Sequence, residues 1–430
     1  MKRASLGRRI FLKGTGSAAA LSALGVVSPL QAAFARELRA LDPDPGKRFA
    51  GLAASYDLDP GVTYLNHASI GTVPRIVRRA RERYAQLCES NPWLYIWGEA
   101  WEEAVAATRR KAARLLGCRA DELAITHTTT EGFNTLAHGL KLEAEGEVLF
   151  SSLNHVGASA CWFHQGPRRG FHVRRFDFPV GDVAGLTAGD VVALHLEQIS
   201  ARTRVLVFPH IDNLVGLRHP VKDLAAAARR RGVSFIAVDG AQSVGMLPVN
   251  LTDLGVDFYA TSAHKWLQAP KGLGLLYVRK SAQPHLAPLS VTWGQKLWQG
   301  SARMYEDFGT RDLDTVLALG DALDFQDALG AAGKETHFRG LWSHSRQRAE
   351  AAAGLAWRSP ARWELSSSLY AVGFQSPPAP EVFEALNHPH GFVVRPFRTQ
   401  GLNSLRLSPS SFNTGEEIDR FFDRLEEAIA

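Results

Sequence analysis

Residues 204–266 read RVLVFPHIDNLVGLRHPVKDLAAAARRRGVSFIAVDGAQSVGMLPVNLTDLGVDFYATSAHKW. Three apolar runs stand out: RVLVF (204–208), VSFIAV (233–238) and DFYATS (257–262), with LGLLYV (273–278) just beyond. Between the first two lies HPVKDLAAAARRRG, a helical pattern in which Pro220 suits a first turn and Gly232 a C-terminal cap. Apolar runs without polar alternation are strands buried on both faces, and strands that alternate with helices build a mostly parallel sheet. The stretch predicts an α/β layered domain.

Outward from this centre the pattern continues in both directions. ELAIT (122–126) reads as a further short strand, followed by a helix over GFNTLAHGL. Residues 73–117 have helical periodicity throughout, with Gly117 a stop. After residue 285 the texture changes to loops, the helical stretch DTVLALGDALDFQDALG, and three strand-like segments, RWELSSSLYAVGF, FVVRPFR and SLRLS. Thr414 with Glu417 forms a capping-box pattern that opens a last helix. The expected organisation is a large domain over residues 36–285, then a connecting helix and a smaller α+β C-terminal domain over 286–430.

The 430 residues carry a formal charge of +6, which invites a nucleic-acid or membrane-surface reading. Residues 1–35 hold Lys2, Arg3, Arg8, Arg9 and Lys13 and no acid, so nearly all of the excess belongs to this leader. The remaining 44 basic and 43 acidic residues balance, which argues against a nucleic-acid partner. A basic region, a mildly apolar stretch and the small-residue end Ala33-Phe34-Ala35 read as an export signal cleaved near Ala35. Arg8-Arg9 before Ile10-Phe11-Leu12-Lys13 resembles a twin-arginine signal, an address read by export machinery and not a stable membrane anchor. That route carries folded proteins, so the expected location is the periplasm and the expected cargo holds a cofactor. The cysteines, Cys88, Cys118 and Cys161, lack the spacing of a metal site or a disulfide framework and read as small buried hydrophobes.

In a parallel sheet, ligands sit beyond the carboxyl ends of the strands. RVLVF is followed by Pro209-His210-Ile211-Asp212-Asn213, VSFIAV by Asp239-Gly240-Ala241-Gln242, and DFYATS by Ala263-His264-Lys265. A lysine directly after a buried strand loses part of its charge stabilisation and becomes a candidate Schiff-base former. An aspartate at a neighbouring strand end can pair with a protonated ring nitrogen. Pyridoxal phosphate needs both. Its phosphate needs donors, which the run Thr126–Gly132 supplies at a helix N-terminus, with Ser262 and His264 beside the lysine.

Together with Asn154-His155, TSAHKW (261–266), FGTRD (308–312) and LRLSPSSFNT (405–414), these segments resemble the class-V aminotransferase family of fold-type-I pyridoxal-phosphate enzymes. The resemblance runs from about residue 60 to the end. YLNHASIG (64–71) and ESNPW (89–93) lean toward its isopenicillin N epimerase-like branch. It implies that Lys265 holds the cofactor and shuttles protons, that Asp239 pairs with the pyridine nitrogen, and that His155 stacks on the ring. By the same resemblance Asn213 and Gln242 bond around the phenolic oxygen, and Thr129, Thr130, Ser262 and His264 hold the phosphate. Gly309 and Thr310 would reach the phosphate of a neighbouring subunit, which implies a homodimer. Arg406, with Asn66, would take the substrate carboxylate, a task suited to a two-pronged donor set.

The family's desulfurases use a cysteine shortly before the substrate arginine, and here no cysteine follows Cys161. The expected substrate is a small molecule or peptide with a free amino group and a carboxylate, met outside the cytoplasm. Transaminase-like or oxidative, decarboxylating chemistry on an exported peptide or siderophore precursor is one reading. An epimerase-like racemase or lyase is a second, and a non-catalytic binding protein a third. Intact Lys265, Asp239 and Arg406 argue against the last.

Overall fold

The structure, a computed structural model, describes residues 34–430 apart from positions 35, 37, 40, 43, 98 and 389. The twin-arginine motif expected at Arg8-Arg9, with the rest of the leader up to residue 33, lies outside the described residues. The strands in chain order are β1 (Thr63–Tyr64), β2 (Leu123–Thr126), β3 (Glu147–Ser151), β4 (His172–Phe176) and β5 (Thr203–Pro209). They continue as β6 (Phe235–Asp239), β7 (Phe258–Ser262), β8 (Gly274–Val278), β9 (Leu355–Trp357) and β10 (Tyr370–Phe374). The last are β11 (Phe392–Val393), β12 (Arg395–Thr399) and β13 (Leu402–Leu407).

Seven strands form the large sheet in the order β2-β8-β7-β6-β5-β3-β4. The pairs from β7 to β4 are parallel, while β8 runs against both of its neighbours. The fold is thus α/β with a mostly parallel sheet. The reversal of β8 has a simple cause. Parallel strands need a crossover of a dozen or more residues, and the segment 263–273 that joins β7 to β8 is a loop too short to hold a helix. It is this loop that carries Lys265.

Why the central runs are apolar at every position is visible in how they pack. Leu206, Phe208, Ile236, Val238 and Tyr259 face one buried cluster. Val205, Val207, Ala237, Phe258 and Ala260 face another. Successive side chains point to opposite faces of a strand, so a sheet covered on both sides asks for a hydrophobe at each residue. The helix Val221–Arg230 covers the first face, with Pro220 at its N-cap, one residue before the first turn, and Gly232 at φ +88° just after it. Edge strand β2 is held by Glu306, which is buried, accepts from the Ile125 N–H at 2.8 Å and pairs with Arg109 at 2.6 Å.

Helices Leu313–Leu329 and Ala331–Ala351 follow, and then a four-stranded antiparallel sheet ordered β12-β13-β10-β9. Its core contains Trp342, Trp363, Tyr370, Phe421 and Phe422. Helix Gly415–Ile429 opens with the expected capping box of Thr414 and Glu417. RWELSSSLYAVGF is not one strand: only Tyr370–Phe374 is extended in the sheet. Ser367 and Ser368 instead donate to the carbonyls of Gly216 (3.2 Å) and Pro409 (2.7 Å), since short hydroxyl side chains compete for backbone partners. FVVRPFR likewise splits, because β11 pairs in parallel with β1 whereas β12 pairs with β13. Strand β1 and the arm after it therefore reach the C-terminal sheet region from the other end of the chain. All three cysteines are unpaired, Cys88 and Cys161 buried and Cys118 partly so. Among the described residues no helix is long and apolar enough to cross a membrane.

Candidate active site

The carboxyl ends of β5, β6 and β7 lie side by side, with Pro209 opposite Asp239 and Asp239 opposite Ala260 in the ladder. Each strand leaves the sheet through a turn that fixes a polar side chain. After β5, Asp212 accepts from the N–H groups of Leu214 (2.7 Å), Val215 (2.8 Å) and Leu217 (2.5 Å), which folds the loop around it and presents Asn213. After β6, the chain passes directly over Tyr259; a Cβ on Gly240 would lie 1.9 Å from that ring, so no other residue fits. After β7, the loop delivers His264 and Lys265.

The N-terminal arm closes over that loop. His67 Nε2 lies 3.1 Å from the Lys265 carbonyl oxygen. Gly71 packs so closely that a Cβ there would be 2.4 Å from the carbonyl oxygens of both His264 and Lys265. Gln242 ties arm and sheet together, donating to the Ala68 carbonyl at 3.0 Å and accepting from Trp266 Nε1 at 2.8 Å.

These elements enclose a cavity of about 620 Å³. Of the residues expected at the site, Thr129, Thr130, His155, Asn213, Asp239, Gln242, Ser262, His264, Lys265 and Arg406 all line it. Asn66 acts one step back: its Oδ1 accepts from Arg406 Nη2 at 2.9 Å. Gly309 and Thr310 are not brought to this cavity within the chain. Both are exposed, and Thr310 sits beside a separate apolar hollow formed by Pro92, Trp93, Ile96 and Trp97. Of the aromatic residues near this hollow, Tyr95 and Trp101 turn into the core instead, and Trp162 of the helix Val156–Arg169 is buried as well.

The threonine run divides its tasks. Thr128 caps the helix Thr129–Gly139, its Oγ accepting from the Glu131 N–H at 3.1 Å. Thr129 bonds Ser262 Oγ through both its N–H (2.9 Å) and its hydroxyl (2.8 Å), so these side chains converge at a helix N-terminus. Backbone N–H groups there favour an anion. His264 adds a ring whose Nδ1 is buried without a partner and whose basicity is lowered to about 4 by burial. His155 caps the helix Val156–Arg169 by accepting from Gly157 N–H at 3.1 Å, which puts its proton on Nε2.

Electrostatically the centre is unbalanced. Lys265 Nζ has no hydrogen bond or close ion pair with a described residue. Burial lowers its ammonium to about 8, with Arg406 acting the same way and Asp239 opposing. Burial raises the Asp239 carboxyl, against the Ala241 N–H, which donates to Oδ1 at 2.9 Å, and the nearby Lys265 and His155. A buried carboxylate with one short hydrogen bond calls for a cationic or proton-donating partner. Arg406 is 3% exposed and its charge is disfavoured by burial and by Arg395. Its Nη1 donates to the Asn213 carbonyl (2.8 Å) and its Nη2 also to Ser69 Oγ (2.7 Å), while Nε is buried with no partner. A ring nitrogen for Asp239, an aldehyde for Lys265 and a phosphate for Thr129–Ser262 would satisfy the wants of this donor set.

A profile described as "Aminotransferase class-V" matches residues 63–421. The chain belongs to the class-V aminotransferase family. Isopenicillin N epimerase of Streptomyces clavuligerus is 32% identical over 396 residues, 86% of this chain and 95% of that protein. The same enzyme of Amycolatopsis lactamdurans is 31% identical over 88% of this chain and 98% of its own. The Escherichia coli cysteine desulfurase CsdA superposes with a TM-score of 0.75 at 22% identity, covering 90% of this chain and 98% of that one. A variant of the lyase C-DES, solved with glycine covalently linked to its pyridoxal-phosphate cofactor, gives 0.76 at 22% identity over 90% and 100%. Members of the family use pyridoxal phosphate, and it is the cofactor of this enzyme. None of the cavity's lining residues among those described is a cysteine.

Beyond the expected residues the cavity wall includes Ser69, Ile70, Thr128, Arg395 and Phe397. Ser69 lies inside the YLNHASIG segment, but only its contact with Arg406 shows its role. Arg395 and Phe397 alternate along FVVRPFR, a period of two that puts both on one face of a strand.

Proposed function

We propose that this class-V enzyme modifies the amino group or Cα of an amino-acid or peptide substrate bearing a carboxylate. The observation that carries the reading is a single cavity holding Lys265 and Asp239 at neighbouring strand ends with Arg406 on its wall. Bound pyridoxal phosphate supplies an electron sink for charge developing at Cα. Asp239 would hold a proton on the ring nitrogen, and Lys265 Nζ would hold the cofactor and carry protons to and from Cα. Thr129, Thr130, Ser262 and His264 would hold the phosphate, His155 would lie against the ring, and Asn213 and Gln242 would bond its phenolic oxygen. Arg406, oriented by Asn66, receives the carboxylate.

Purified holoenzyme is expected to absorb in the near-ultraviolet or visible range, and Lys265→Ala to lose that band. A cofactor-supplemented protein that never shows it would overturn the reading. Product masses after incubation with amino acids and with glutamate-capped peptides distinguish the chemistries. Loss of the amino group marks transaminase-like or oxidative reaction, of the kind that would tailor a peptide or siderophore precursor. The near-full-length similarity to isopenicillin N epimerases supports a second reading, epimerisation, which leaves the mass unchanged.

We infer further that the enzyme is exported through the twin-arginine route to the periplasm and works as a homodimer. The leader residues Arg8 to Lys13 support the first. For the second, Trp93 (76% exposed), Trp97 (70%) and Trp293 (78%) are large apolar groups at the surface, and exposed patches of this kind mark interfaces. Thr310, the residue proposed to serve the neighbouring subunit's phosphate, lies at the edge of the Trp93–Trp97 patch.

A further inference from the structure

Arg395 on β12 and Arg406 on β13 are direct partners in the antiparallel ladder. Residues directly opposite one another share a face, and like charges in that relation are destabilising. Both side chains line the cavity of Lys265 and Asp239, as does Phe397, two residues further along β12. The two guanidinium carbons lie 5.9 and 5.5 Å from the Phe397 ring centroid, so the ring sits beneath a pair of cations.

No carboxylate among the described residues forms an ion pair with either arginine. Asp212, which acts on Arg406 through space, has both oxygens engaged by the N–H groups of its own loop. Asp239 lies at the ring-nitrogen end of the cavity in the reading above. Arg406 keeps one buried, unpartnered donor at Nε, and the exposed side chain of Arg395 makes no hydrogen bond to a described residue. Two cations without an ion-pair partner among the described residues stand on one wall of the cavity, both near one apolar ring.

We propose that the substrate carries two carboxylates, the one at Cα held by Arg406 and a distal one held by Arg395, its intervening methylenes resting on Phe397. Arg395 is then the residue that selects an acidic side chain over a neutral one. The inference rests on the cofactor reading of the same site, and concerns recognition alone.

Inert ligands test it without turnover. Calorimetric titration of holoenzyme with glutarate and with pentanoate compares two acids of equal length that differ in one carboxylate. Glutarate is expected to bind at least about tenfold tighter, in keeping with a charge-assisted pair. In Arg395→Gln that ratio falls to near one, and in Arg406→Gln both ligands weaken. Retention of the cofactor absorbance by Arg395→Gln shows that the variant is folded and loaded. Equal binding of the two acids by the unaltered enzyme, or a preference that survives in Arg395→Gln, would overturn the proposal. Failure of the cofactor reading has a different signature, the absence of a Lys265-dependent absorbance band.

Discussion

Lys265 is held where an ammonium ion is poorly solvated, and the consequence can be measured. With its basicity lowered from the usual 10.5 to about 8, the amine is half neutral near pH 8. Only the neutral amine attacks an aldehyde. Uptake of pyridoxal phosphate by the apoprotein should therefore accelerate as pH rises through about 8 and level off above it. An ordinary lysine would place that midpoint above pH 10, and a stopped-flow absorbance series between pH 6 and 10 separates the two. Lys265 and Asp239 were legible in the sequence because Asp239 directly follows an apolar run and Lys265 comes three residues after one, and the strand end dictates where such residues go. Arg395 and Ser69 were not, because their roles arise from a ladder pairing and a contact with Arg406 across the chain. The Gln242 carboxamide bonds Ala68 and Trp266, which leaves one of its N–H groups for a ligand.

At the scale of elements, the lysine loop is rigid because two others press on it. The arm around His67–Gly71 covers it, and β8 pulls its far end back into the sheet. Gly71→Ala forces a methyl group against two carbonyl oxygens that belong to that loop. Overpacking of this kind costs about 1–3 kcal/mol, so the variant should unfold at lower urea and release its cofactor faster on dialysis. A variant with unchanged urea midpoint and cofactor retention would mean that the arm yields without cost. The strands β5, β6 and β7 were readable from composition, since both of their faces are buried. The direction of β8 was not, because it depends on the length of a loop and not on the residues of the strand. Ser366–Ser368 hid from a pattern-based reading for another reason: their hydroxyls bond distant carbonyls, and hydrophobic periodicity carries no trace of that.

At the scale of the whole molecule, the surface tryptophans need cover. Trp93→Glu combined with Trp97→Glu should shift the particle from dimer to monomer in sedimentation velocity. If the unaltered protein already sediments as a monomer, the proposed assembly fails. Charge offers no competing explanation, because residues 36–430 carry nearly equal numbers of basic and acidic residues.

The position of β8 has one more consequence, in time. Strand β2 has no neighbour in the large sheet but β8, with Thr126 opposite Gly274. A ribosome must therefore release most of the catalytic half before the edge that carries Thr129 acquires its partner. Until then the strand that leads into Thr129 is without its ladder partner, and the cradle for phosphate is incompletely supported. A nascent fragment ending before residue 274 lacks that partner and should neither hold the cofactor nor resist proteolysis.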